Sequence, residues 1–343
     1  MKKNLYIITA ILAGAWLFWY LSHREANSGA ADIFREFAIT DTSRIQKIEI
    51  SDVSGKTAVI TRVAGKRRWM LNGRYEARED AVDLILKTIA RTSVRGNVAD
   101  AARDEMMKLI LTSAKKVAIY TEGDEPEKIW YVGVATPDHT GTIMLLEMPE
   151  EGRGSEPYIT HMEGFTGFLS TRFFTDESEW RYTGIFDYPD LDIQQVEISQ
   201  IINGYPVQLK LNIQPNGSFV FEDLSPVKMN AYQGLDTAAA RNLILSLRKV
   251  HFETYTTGLA ANVTDSIQAT TPFFSIRVTD RKGVSERVDL YRLPAVKHVQ
   301  SEDGLRIPWN LDHYLGRNTK GEYGLAQTYT FDPIIMYASA LRK

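Results

Sequence analysis

The sequence contains no cysteine. That excludes disulfide bridges, thiolate metal ligands, a cysteine nucleophile and a lipidated N-terminal cysteine. It leaves the compartment open, since a large domain outside the cytosol can be stable without disulfides. Histidine is sparse: His23, His139, His161, His251, His298 and His313 are the six. None forms an HxH or HxxxH pair of the kind that brings two imidazoles to one metal. The chain also lacks a GxSxG turn and a GxxxxGK(S/T) loop, so neither a strained serine nucleophile nor a phosphate cradle at a helix start is encoded. A formal net charge of -3 is too small for the field of a nucleic-acid binder, and no basic stripe with interleaved aromatics occurs. The acids Asp187, Asp190 and Asp192 in "DYPDLD" alternate as calcium ligands can, but a complete site normally takes six or more oxygens and the EF-hand pattern is absent. No metal and no cofactor is expected.

What is present begins at the N-terminus. After "MKKN" comes "LYIITAILAGAWLFWYL", residues 5–21, without a charge. As a helix it would span about 25 Å, the short end of a bilayer crossing. Trp16, Trp19 and Tyr20 sit at its far end, where amphipathic rings favour the membrane–water interface, and Lys2 and Lys3 place the start in the cytosol. A cleaved signal peptide is the alternative, with "ANSGA" at Ala26–Ala30 as a late cleavage candidate. The expectation is a retained signal-anchor. It predicts a cytoplasmic tip at 1–4, a transmembrane helix at 5–21, a spacer at 22–43 and the bulk of the chain in the periplasm of a single-pass inner-membrane protein.

The most informative feature is a repetition. "IQKIEIS" at Ile45–Ser51 returns as "IQQVEIS" at Ile193–Ser199. Each alternates apolar and polar residues with the period of a half-buried strand. Each is followed by a glycine-bearing turn ("VSGK", "INGY") and a second alternating run, "TAVITRV" or "VQLKLNI". A third short run then carries Trp69 and Leu71, or Phe219 and Phe221. A helix-period segment closes the motif. In the first copy Val82, Ile85, Leu86 and Ile89 follow Glu79 and Asp80; in the second, Asp236 caps a stretch with Leu243 and Leu247. The predicted fold class is therefore α+β, an N-terminal transmembrane helix followed by two tandem copies of a β-meander-plus-helix unit at 44–186 and 187–343. Duplication of a stable fold accounts for the repeat. Two copies are too few for a propeller or solenoid.

The anchor, "FAITDTSRIQKIEIS", the tryptophan strand, "YEAREDAVDLILKTI" and the second meander-plus-helix copy together resemble the DUF4340-like family. These are uncharacterised bacterial membrane-anchored extracytoplasmic proteins, found as auxiliary components beside ABC transporters of the gliding-motility type. The resemblance spans nearly the whole chain through hydrophobic patterning, and brings no catalytic residues with it. It implies a partner: an envelope membrane-protein complex of transport or secretion type.

The function expected from these features is that of a membrane-anchored extracytoplasmic accessory or scaffold protein, not an enzyme. The alternative is a binding module for a glycan, peptide or lipid in the cleft between the two lobes, and a carboxylate hydrolase ranks third. Candidate partner-facing residues are Glu49 and Glu197, which recur at equivalent positions of the two heptads. The junction aromatics Trp180, Tyr182, Phe186 and Tyr188 are candidates for interdomain packing or for docking a sugar or peptide.

Overall fold

In the heptad at Ile45–Ser51, Ile48 and Ile50 have no exposed surface while Lys47, Glu49 and Ser51 stay partly exposed. This is the burial of a strand with one face on a core. The computed structural model describes residues 36–65, 68–226, 234–256, 270–300, 304 and 306–342. The chain divides into two units, Met1–Tyr182 and Thr183–Lys343.

The first unit opens with strands β1 (Lys47–Ser51), β2 (Thr57–Arg62), β3 (Trp69–Leu71) and β4 (Tyr75–Glu76). Helix α1 (Glu79–Arg91), β5 (Thr92–Asn97) and helix α2 (Asp100–Ser113) follow. Then come β6 (Lys115–Tyr120), β7 (Lys128–Ala135), β8 (Thr142–Met148), β9 (Gly152–Arg153), β10 (Tyr158–Met162) and the short α3 (Glu177–Trp180). The strands make one antiparallel sheet in the order β4-β3-β2-β1-β6-β7-β8-β10-β5, with β9 on β8. Helix α1 buries Val82, Ile85 and Ile89 against Ile48, Ile60, Val117 and Trp130 on one face. Helix α2 sets Ile110 on Ile143 and Leu145 of the other. Its approach is close at Gly133, where a Cβ would lie 2.7 Å from the Ile143 carbonyl and 3.0 Å from Ile110. Two lysines act as latches. The Lys128 ammonium donates to the carbonyls of Glu36 and Ala38, holding Phe37 edge-on to Trp130. The Lys115 ammonium donates to the Phe173 carbonyl at 2.6 Å.

The second unit contains β11 (Gly184–Asp187), β12 (Ile193–Ile202), β13 (Tyr205–Ile213), β14 (Phe219–Asp223) and helix α4 (Thr237–Ser246). Strands β15 (Lys249–His251), β16 (Thr254–Tyr255), β17 (Phe274–Asp280), β18 (Ser285–Gln300), β19 (Arg306–Asn318) and β20 (Tyr323–Gln327) lead to helix α5 (Thr328–Ser339). An eight-stranded antiparallel sheet runs β14-β13-β12-β17-β18-β19-β20-β16, and β11 pairs with β15. The Asp236 carboxylate caps α4, accepting from the amides of Ala238 and Ala239 at 2.9 Å. Ala240 and Leu243 of α4 and Phe331, Ile334 and Ala338 of α5 share one core with Val196, Leu211, Ile276 and Leu290 of the sheet. Across β19 and β20, Gly316 faces Gly324. A Cβ at either would meet the Phe252 ring, at 2.2 Å and 2.5 Å respectively, so the glycines form the slot the ring fills.

Two expectations are corrected. The fold is not the α+β chain of a transmembrane helix and two meander-plus-helix copies. It is mostly antiparallel sheet, 45% strand against 21% helix, in three sheets with five helices among the described residues. The meander and helix are only the opening of each unit; alternating runs such as those of β17 and β18 pair side by side and extend the sheet. The second correction concerns the membrane. No helix among the described residues is long and apolar enough to cross one. The longest, α2, has 14 residues, about 21 Å of helix, and carries Asp100, Arg103, Asp104, Glu105 and Lys108. The segment 5–21 lies outside the described residues. The single-pass, signal-anchor and inner-membrane placement, with its periplasmic bulk, thus has no spanning helix among the described residues to rest on.

Candidate functional site

In the second unit both long helices pack on the same side of the sheet. Neither of them packs on the opposite face, which carries polar and charged residues across β12, β13, β17 and β18. Beside them on that face runs an apolar row, buried Tyr291 and Leu315 with half-buried Leu325. Strand register lays out its side chains in rows. One row crosses five strands as Glu222, Lys210, Glu197, Arg277 and Arg287. The signs alternate, as cross-strand pairing favours, until the last step, where Arg277 stands directly opposite Arg287. The neighbouring row runs Gln208, Ser199, Ser275, Asp289, Arg317 and Tyr323.

Asp289 anchors the centre. Its carboxylate accepts from the Ser275 hydroxyl at 2.6 Å and from the Arg287 guanidinium, with Nε and Nη2 both at 2.7 Å. Arg277 has only a distant contact, 3.9 Å from Glu197; the Glu197 carboxylate also accepts from the Gln195 amide at 2.8 Å. Arg317 forms no ion pair among the described residues and lies 5.8 Å from the centroid of the Tyr323 ring. It adjoins Tyr291, whose hydroxyl is raised by burial and by Asp289, an effect that Arg317 opposes. The turn after Arg317 is held firmly. The Asn318 side chain accepts from the amides of Lys320 and Glu322 at 3.0 and 2.9 Å, and the Thr319 hydroxyl accepts from the Arg287 amide at 2.6 Å.

Two depressions adjoin on this face. One, of about 380 Å³, has Ser199, Gln208 and Leu224 in its lining; the other, of about 320 Å³, has Asp289, Arg317 and Thr319. Arg277 and Arg287 line both. The chemistry on offer is anion binding by guanidinium forks beside hydroxyl and amide groups. Among the described residues, no group of three or more histidines and acids is placed to hold a metal.

The residues singled out from sequence are dispersed by the fold. Glu197 belongs to this face. Glu49 lies on β1 between Val59 and Ala118, with no cation opposite it. Trp180 is fully buried in the first unit, its indole donating to the Phe174 carbonyl at 2.9 Å. The Tyr182 amide donates to Glu76 in the same unit, at 2.8 Å. Phe186 and Tyr188 stack at 6.4 Å inside the second core, where burial pushes the Tyr188 hydroxyl up to about 12. Arg277, Arg287, Asp289 and Arg317 were not singled out. Their only local signal is alternation with Ile276, Val278, Val288 and Leu290, which marks them as facing away from a core and no more.

Neither a known protein-family model nor a curated protein matches this sequence.

Proposed function

We propose that this chain is an accessory, scaffold-type protein that works by binding: it holds a partner protein on the open face of its second sheet, beside a transport or secretion assembly. The assembly type is what the DUF4340-like resemblance implies. The observation that supports the binding role is the rows of charged and polar side chains across β12, β13, β17, β18 and β19, flanked by exposed Leu224 and Val220. Protein interfaces combine apolar contacts of this kind with about one hydrogen bond per 100–200 Å².

The test places a photo-reactive side chain at Ser199 or Gln208, both exposed on this face, or at Arg241, exposed on α4. Full-length chain cross-linked in its native cells is expected to give the same adduct, a subunit of one assembly, from 199 and 208 but not from 241. Equal labelling from all three, or none from 199 and 208, removes the docking role. Turnover of a substrate by the purified chain removes the scaffold reading altogether.

A further inference from the structure

The pairing of Arg277 with Arg287 is costly where it stands. Directly opposed residues of an antiparallel pair hold their Cβ atoms about 4.5–5.5 Å apart, and like charges there are unfavourable. The neighbourhood offsets this only in part. Among the described residues Asp289 is the one acid lining the cavity these two share with Arg317, and its Oδ1 already accepts from the Ser275 hydroxyl and from Nε and Nη2 of Arg287. Glu197 stands 3.9 Å from Arg277, beyond hydrogen-bond distance. Arg317 stands opposite Asp289 in register but forms no ion pair with it among the described residues. Three guanidiniums thus line one cavity with one carboxylate, whose Oδ1 is taken by Arg287, and neither Arg277 nor Arg317 donates a hydrogen bond to an acid among the described residues.

We propose that this cavity is an oxyanion grip that takes the carboxylate side chains of an acidic, extended segment of the partner protein. The proposal rests on the docking role above and names its chemistry. A planar guanidinium fork matches a carboxylate in bidentate fashion. An anion seated between Arg277 and Arg287 turns their repulsion into two attractions, and Arg317 supplies a third. The shape favours a segment over a small ion. The two depressions run into each other through Arg277 and Arg287, and the further one has Ser199, Gln208 and the exposed side chain of Leu224 in its lining, with Glu197 beside Arg277. A chain can therefore continue past the grip with polar and apolar contacts of its own.

The probe is a hexaglutamate peptide titrated calorimetrically into the full-length chain, against inorganic phosphate and hexalysine. Hexaglutamate is expected to bind, to weaken as salt rises, and to lose about tenfold or more in affinity in Arg277→Gln/Arg317→Gln. Arg241→Gln on α4 should bind as the parent does. Both altered arginines are solvent-facing, and a thermal midpoint no lower than the parent's shows that the variant is folded. Arg317→Glu, reversing one charge, should abolish binding alone. Unchanged affinity in these variants overturns the proposal, as does phosphate displacing the peptide at equal concentration, which makes the cavity a small-ion site. A concentration-dependent dimer lost in the same double variant also overturns it, assigning the grip to the acidic stretch around Glu122, Glu125 and Glu127 of a second copy. Cross-linking from position 199 that persists in the double variant leaves the docking role standing while the acidic segment falls; its absence in the parent chain removes both.

Discussion

Both units begin with the same strand heptad, yet they treat the far side of that strand differently. In the first, α1 covers one face of the sheet and α2 reaches the other, so Ile110 closes over Ile143 and Leu145. In the second, α4 and α5 lie together on one face. The recurring glutamate shows the consequence. Glu49 has Val59 and Ala118 as neighbours, whereas Glu197 has Lys210 and Arg277. A polar position on a strand is only a position; what it does depends on which strands the sheet brings beside it. The first unit spends its polar groups on holding itself together, through the Lys128 and Lys115 latches. The second places its cations on a surface.

The largest expected effects test whether each unit depends on its own core. Trp130→Ala should destabilise the first unit by about 3–5 kcal/mol, as emptying a fully buried aromatic site does. Phe252→Ala should do the same to the second by emptying the slot beside Gly316 and Gly324. Denaturant unfolding of the two variants would show two separate transitions, each displaced in turn; one shared transition in both variants would mean that the units unfold together. Next comes Arg342→Ala. Arg342 reaches the carboxylate of Asp223 at 2.8 Å, and the Asp223 side chain is only 5% exposed. Removing the cation leaves that carboxylate buried and unpaired, at a cost of about 3 kcal/mol, read as a lower denaturation midpoint for the second unit alone.

Smaller is the effect of Lys128→Met. It leaves the carbonyls of Glu36 and Ala38 without their donor, a loss of about 1–3 kcal/mol, and hydrogen exchange should quicken at residues 36–39 before anywhere else. A sharper test of the contrast is a gain. Arg277→Gln removes a like-charge pair and should stabilise the second unit by about 0.2–1 kcal/mol at low salt, measurable as a raised midpoint that shrinks as salt is added. A loss of stability would show that Arg277 serves the fold and not a ligand.

In the first unit the Asp52 carboxylate accepts from the Ser54 and Thr175 hydroxyls, both at 2.6 Å, and these bonds lower it to about 2. A carboxyl lowered in the folded chain adds stability above its ordinary range, and that contribution fades as pH falls toward about 2. NMR titration should find the low midpoint, and Thr175→Val should raise it. An unchanged midpoint would mean that the turn, not the Thr175 hydroxyl, sets it.

Alternation at β1 and β12 and the helical spacing of Val82, Ile85 and Ile89 were legible because each records the burial of one face by one local element. The Asp236 cap was legible for the same reason: a side chain two or three residues from the amides it serves needs no distant partner. Helix α2 gave less away, since Ile110 is its only buried residue. The junction at Trp180–Tyr188 reads as one aromatic stretch, but its rings divide between two cores, because burial is settled by whichever core lies nearest. The cation cluster was beyond reach. Arg277, Arg287 and Arg317 are separated along the chain by turns and whole strands, and each looks like any solvent-facing residue of a strand.

By itself, then, the sequence determined that these strands would have an apolar and a polar side, since side chains of an extended chain point alternately and only one side can be removed from water. It determined where turns and caps fall. The tertiary structure decided which strand lies next to which, and in what register; a slip of one residue would turn Arg277 from Arg287 into the core. It also decided that α4 and α5 share one face, leaving the other to the arginines. Those choices belong to long-range pairing and packing, which no local run of residues records.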